Sequence, residues 1–159
     1  MPNQGIRPSD PARGSAYCTS VVSSSTSRPS DARLLIVDDD EVISGALFNH
    51  LITRGIRPDL ALDGPAAERL LTDHDYPLIL MDVYLTGQLQ ATALELINRV
   101  SELRPDSKIV LLTAYGSERL AEHAASHPRI TLVGKPKPVA FIADLLEGLL
   151  EAVPGGPAA

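Results

Sequence analysis

Hydrophobic residues fall along this chain in two alternating rhythms. Short apolar runs end at Leu34–Val37, Leu78–Met81, Lys108–Leu112 and Ile130–Val133. Their length and near-continuous apolar character predict strands buried on both faces. A weaker strand is predicted over Pro58–Leu62. Between the runs the apolar positions recur at helical spacing. Glu41–Arg54 carries Ile43, Leu47 and Leu51 in a stripe and stops at Gly55. Gly64–Asp73 opens with Pro65 at a favoured first position. Thr92–Leu103 aligns Leu96, Val100 and Leu103, and Val139–Leu150 is amphipathic. Ser117–Ser126 is polar and alanine-rich, which predicts a surface helix. This fivefold β–α alternation predicts an α/β fold, a doubly wound parallel sheet with helices on both faces.

The flanks lack either rhythm. Residues 1–31 are about half Ser, Thr, Pro or Gly and read as a disordered tail, too poor in apolar surface to offset its ordering entropy. Residues 153–159 contain Pro-Gly-Gly-Pro and read as a frayed end, which leaves one domain over 32–152. A chain of 159 residues with 44% apolar content can build that domain without disulfides. Its single cysteine, Cys18, has no intrachain partner, which points to a reducing compartment, the cytoplasm. There is no apolar run long enough to enter a membrane and no secretory leader pattern. The net charge is -6, and the tail is nearly balanced, with Arg7, Arg13 and Arg28 against Asp10 and Asp31. The acidity therefore belongs to the domain and argues against direct nucleic-acid binding.

Candidate chemistry lies where the strands end. In parallel sheets the site forms outside the carboxyl ends of the strands. Those ends carry Asp38, Asp39 and Asp40, then Asp82, Thr113 and Lys135. Carboxylates brought close together repel and call for a cation, and an all-oxygen donor set suits Mg²⁺. Lys135 supplies a point charge for an oxyanion and Thr113 a hydroxyl donor. Such parts suit phosphoryl transfer onto a carboxylate. Each has a plainer reading: the acids after the first strand can cap a helix, Asp82 can mark a turn, and Lys135 can be a surface lysine. Asp40 is expected to act mainly as a cap. His50, His74, His123 and His127 are scattered, form no ligand pair, and read as surface or structural residues.

Four motifs in order, Leu-Leu-Ile-Val-Asp-Asp-Asp at 34–40, Leu-Ile-Leu-Met-Asp-Val at 78–83, Val-Leu-Leu-Thr-Ala at 110–114 and Gly-Lys-Pro at 134–136, make the chain resemble a response-regulator receiver domain over about residues 33–151. The resemblance implies a flavodoxin-like (βα)5 three-layer sandwich with sheet order 2-1-3-4-5. It implies Asp82 as phosphoacceptor and Mg²⁺ held by Asp38, Asp39, Asp82 and the backbone carbonyl of Tyr84. It gives Thr113 and Lys135 the phosphoryl group to bind, and it makes Lys135-Pro136 a cis peptide. It implies a histidine kinase or phosphotransfer protein as donor and a downstream protein bound through the fourth helix, fifth strand and fifth helix. A homodimer on activation is compatible with it. Little sequence follows the fifth helix, so a stand-alone receiver is expected.

The chain departs from the family pattern in places. Thr86 replaces a usual proline, and the loop through Ala91 lacks the usual Asp-Gly pair. Leu132 occupies the position of the aromatic that normally swings inward on activation, so Tyr115 or the fourth helix is expected to carry the change. Tyr84 and Tyr115 would flank the acceptor and shield its phosphate from water. These departures keep open a degenerate receiver that binds partners without phosphorylation. A haloacid-dehalogenase-like phosphatase would use Asp38, Asp40, Thr113 and Lys135, but leaves Asp82 unexplained and finds only Asp144 and Glu147 for its required acidic pair. A nucleotide-binding flavodoxin-like protein would need a glycine-rich phosphate loop, which is lacking.

Overall fold

A computed structural model describes residues 34–83, 91–114 and 118–153. Five strands alternate with five helices: β1 (Leu34–Val37), α1 (Glu41–Thr53), β2 (Pro58–Ala61), α2 (Gly64–Asp73), β3 (Leu78–Asp82), α3 (Ala91–Leu103), β4 (Lys108–Thr113), α4 (Glu118–Ser126), β5 (Ile130–Gly134) and α5 (Val139–Glu151). The strands form one parallel sheet in the order β2-β1-β3-β4-β5. This is the doubly wound arrangement expected from the sequence. The expectations for residues 1–31 and 154–159, for Tyr84, for the loop beginning at Thr86 and for Tyr115 lie outside the described residues.

Strand side chains alternate between faces, so each continuous apolar run feeds two cores. Leu35, Val37, Ile79, Met81, Ile109 and Leu111 point to the side covered by α2, α3 and α4. Leu34, Ile36, Leu78, Leu80, Val110 and Leu112 point to the side covered by α1 and α5. The central strands are therefore apolar throughout except at three terminal positions, Asp82, Lys108 and Thr113. The edge strands are buried only in part, β2 at Pro58 and Ala61 and β5 at Ile130 and Val133, which explains why β2 gives so weak a sequence signal.

One expectation about α1 needs correcting. Its buried face is Ser44, Leu47 and Leu51, while Ile43 is exposed. The polar residue goes inward because its hydroxyl donates to the Asp40 carbonyl at 2.8 Å, which removes the cost of burying it. Across the same layer Arg54, just past α1, reaches Asp144 at 2.6 Å and Glu147 at 2.7 Å on α5. That fork ties α1 to α5 at the end of the sheet away from the acids.

The two-sided core makes a stability prediction. Leu146 is fully buried under β3 and β4, whereas Phe141 on the same helix is 45% exposed. Leu146→Ala should cost about 2–5 kcal/mol in denaturant unfolding, and Phe141→Ala no more than about 1 kcal/mol. Equal costs would mean that α5 does not pack as described.

Candidate functional site

The sheet delivers the polar residues to one edge by hydrogen bonding alone. The Asp38 amide donates to the Ala61 carbonyl at 3.0 Å, prolonging the β1–β2 ladder by one residue. Asp82 is the last residue of β3, paired in register with Leu112, and the next amide, Val83, donates to the Leu112 carbonyl at 2.9 Å. Thr113 ends β4 opposite Gly134, and the Lys135 amide donates to its carbonyl at 2.7 Å. Strand pairing thus sets Thr113 and Lys135 side by side. Lys135-Pro136 is cis, as the family resemblance implies.

The three consecutive aspartates divide their work. Asp40 is the N-cap of α1, its Oδ1 accepting from the amides of Val42 at 3.0 Å and Ile43 at 3.1 Å. That use matches its expected capping role. Asp38 faces inward and is 3% exposed, and its Oδ1 accepts from the Asp40 amide at 2.9 Å. Asp38, Asp39 and Asp82 each bring a carboxylate oxygen within 4.8 Å of the others. Lys135 Nζ lies 2.6 Å from Asp82 Oδ2. Asp82 is 5% exposed, so this ion pair is formed largely away from water.

The Lys135 ammonium faces a half-buried cluster of three carboxylates. The consequence shows at Asp38, whose carboxyl is pushed up from its ordinary range, first by burial, with the Asp82 charge adding and the Asp40 amide opposing. The donors available are all hard oxygens, without nitrogen or sulfur, and they converge. This set fits Mg²⁺, which favours carboxylates and keeps several waters. Asp38, Asp39 and Asp82 are the side chains that would hold it.

Other sequence candidates fall elsewhere. Asp144 and Glu147 are engaged by Arg54 on α5, so they do not supply the acidic pair that the phosphatase reading requires. Leu132 is half-buried and packs on the core beneath α4. The histidines are not all isolated, contrary to expectation. His50 lies 3.0 Å from the Arg54 guanidinium and His74 meets Tyr76 edge-on, but His123 and His127 stand against each other. Their four-residue spacing across the end of α4 was the signal for that pair. Arg54 also escaped the sequence reading, since nothing local announces a partner about ninety residues on.

The crowding of acids makes a testable prediction. Asp38→Asn keeps the oxygen that accepts from the Asp40 amide and removes a charge. A carboxyl whose folded pKa is raised binds protons more readily in the native state, so its ionisation costs stability above that pKa and the cost fades as pH falls through it. In chelated buffer Asp38→Asn should therefore be more stable than the native protein at neutral pH, by about 0.5–2 kcal/mol. The difference should shrink on acidification. A destabilised variant at neutral pH would contradict the electrostatic account.

Comparison with known proteins places this geometry. The family model described as the response regulator receiver domain matches residues 34–146. The photosynthetic apparatus regulatory protein RegA of Rhodovulum sulfidophilum is 31% identical over 80% of this chain and 68% of its own length. Protein PetR of Rhodobacter capsulatus is 37% identical over 57% of this chain, but only 36% of PetR is covered. Among solved structures, a Burkholderia pseudomallei response regulator with a phosphorylated aspartic acid and a calcium ion superposes with a TM-score of 0.61 at 30% identity. That match covers 73% of this chain and 66% of the other. TrrA of Thermotoga maritima, in complex with Mg²⁺ and beryllofluoride, gives a TM-score of 0.61 at 27% identity over 74% of this chain and 98% of its own.

Proposed function

The chain belongs to the response regulator receiver domain family, and from that premise we propose that it accepts a phosphoryl group on Asp82 in a Mg²⁺-dependent reaction. Members of this family are phosphoacceptor signalling modules rather than turnover enzymes. The observation that carries the assignment to Asp82 is its place in the cluster. Its Oδ2 lies 2.6 Å from the Lys135 ammonium, beside the strand end that holds Thr113.

The chain's own residues account for most of the chemistry. Lys135 holds one oxygen of Asp82 and so orients the carboxylate before a donor arrives. An Asp82 oxygen attacks the phosphorus of a phosphohistidine on a histidine kinase or phosphotransfer protein. The new O–P bond forms as the P–N bond breaks, and the imidazole leaves with a proton from solvent. Lys135 then balances charge on the phosphoryl oxygens, and the Thr113 hydroxyl donates to one of them. Asp38 and Asp39 would hold the metal together with Asp82, and the carbonyl of Tyr84 would be the further ligand that the family implies. Bound Mg²⁺ supplies charge neutralisation among the acids and at the phosphoryl oxygens.

Signal output follows from Thr113 ending β4 and Lys135 following β5 directly. A hydroxyl drawn toward the phosphoryl group biases the position of α4, and the face made by α4, β5 and α5 then favours a downstream protein. Leu132 lacks the polar tip of an aromatic switch, so Tyr115 or α4 itself carries the change. A beryllofluoride-activated NtrC4 receiver domain, 27% identical with a TM-score of 0.64, was solved as a dimer, which supports homodimerisation as one outcome of activation here. No helix among the described residues is long and apolar enough to cross a membrane. A kinase donor draws on ATP, which puts the reaction in the cytoplasm.

Incubation with acetyl phosphate and Mg²⁺, followed by intact-mass measurement, should show gain of one phosphoryl group. Asp82→Asn and a chelator should each abolish it, and Lys135→Ala should slow it at least about tenfold. A gain that persists in Asp82→Asn would overturn the assignment. No gain from either acetyl phosphate or a phosphorylated donor protein would favour a module that binds partners without phosphorylation.

A further inference from the structure

A pair of histidines, chemically unlike the acid cluster, lies at the end of α4. His123 is in the last turn and His127 follows the helix directly. Their rings approach to 4.3 Å between centroids, with planes 31° apart. His127 Nδ1 is 2.8 Å from the His123 carbonyl oxygen. A carbonyl only accepts, so Nδ1 carries the ring proton, and Nε2 is left with an open lone pair. The Ser126 hydroxyl, 2.8 Å from that carbonyl and 3.0 Å from Nδ1, helps to fix the ring. A histidine whose far nitrogen donates to a backbone carbonyl is oriented and tautomerised in the way that metal-binding histidines usually are. Burial and the neighbouring His127 also push the His123 pKa down.

We propose that His123 and His127 form a bidentate site for an imidazole-preferring divalent cation of the first transition row, with zinc as the test ion. Water completes the coordination. Two imidazoles at helical i, i+4 spacing are a suitable donor pair for such an ion. The site differs in kind from the acid cluster, whose hard oxygens favour Mg²⁺. It also has a structural consequence. The Ile130 amide donates to the His127 carbonyl at 2.9 Å, so an ion across the two rings would tie the last turn of α4 to the start of β5. That clamp would act on the helix proposed to carry the signal, although zinc binding itself does not depend on phosphorylation.

A plain capping role for His127 makes a different forecast. A cap lost in His127→Ala would lower stability by the same amount with and without zinc. The test is a zinc titration of the full chain in saturating Mg²⁺, followed by ¹H–¹⁵N spectra of the histidine rings. The ring nitrogens of His123 and His127 should shift together, while those of His50 and His74 stay in place. Calorimetry should show zinc affinity reduced at least about tenfold in His123→Gln and in His127→Ala. Should either variant fail to fold, the native-protein spectra decide alone. Zinc shifts confined to other residues, or no shift at the pair, would overturn the proposal.

Discussion

Three carboxylates held within 4.8 Å of one another are an arrangement that a folded chain does not adopt without compensation. Like charges at that distance oppose folding, and burial of Asp38 and Asp82 makes the opposition stronger. Within the chain the Lys135 ammonium on Asp82 offsets part of that opposition. A cluster of acids of this kind also attracts a divalent cation. Affinity and reactivity therefore arise from the same excess of negative charge that the rest of the fold must hold in place.

The fold holds it through the sheet. Asp82 and Thr113 are the last residues of their strands, Asp38 and Lys135 the first beyond theirs and Asp39 the second, and ladder hydrogen bonds fix this edge. Asp38 bonds to Ala61, Val83 to Leu112, and Lys135 to Thr113. Behind these residues, apolar cores on both faces of the sheet keep the strands from yielding to the repulsion. Stability is thus generated in the body of the sheet and consumed at its carboxyl edge. The same layout separates the reacting carboxylate from the helices that report on it. Thr113 and Lys135 lie on the β4–β5 side, next to α4 and α5.

Much of this was legible in the residues. The central strands announced themselves because burial on both faces demands unbroken runs such as Leu34–Val37, and the polar residue ending each run marked the site. Asp40 was separable from Asp38 and Asp39 because an N-cap has a fixed place before a helix. Other features were not legible, for physical reasons. Ile43 fitted the apolar stripe of α1, yet Ser44 is the buried residue, because its hydroxyl finds the Asp40 carbonyl. The Arg54 fork to Asp144 and Glu147 depends on α1 and α5 sharing one face of the sheet, a tertiary fact with no local trace. The His123–His127 pair straddles the end of a helix, where spacing alone does not reveal that a backbone carbonyl orients the second ring.

The central claim is that Asp82, and not its neighbours Asp38 or Asp39, is the carboxylate that takes the phosphoryl group. The most direct measurement is chemical mapping. The protein is phosphorylated in the presence of Mg²⁺, the acyl phosphate is reduced with borohydride, and the digest is sequenced by tandem mass spectrometry. Reduction should convert position 82 alone to homoserine. Homoserine at position 38 or 39, or phosphorylation that leaves position 82 as aspartate, would contradict the account.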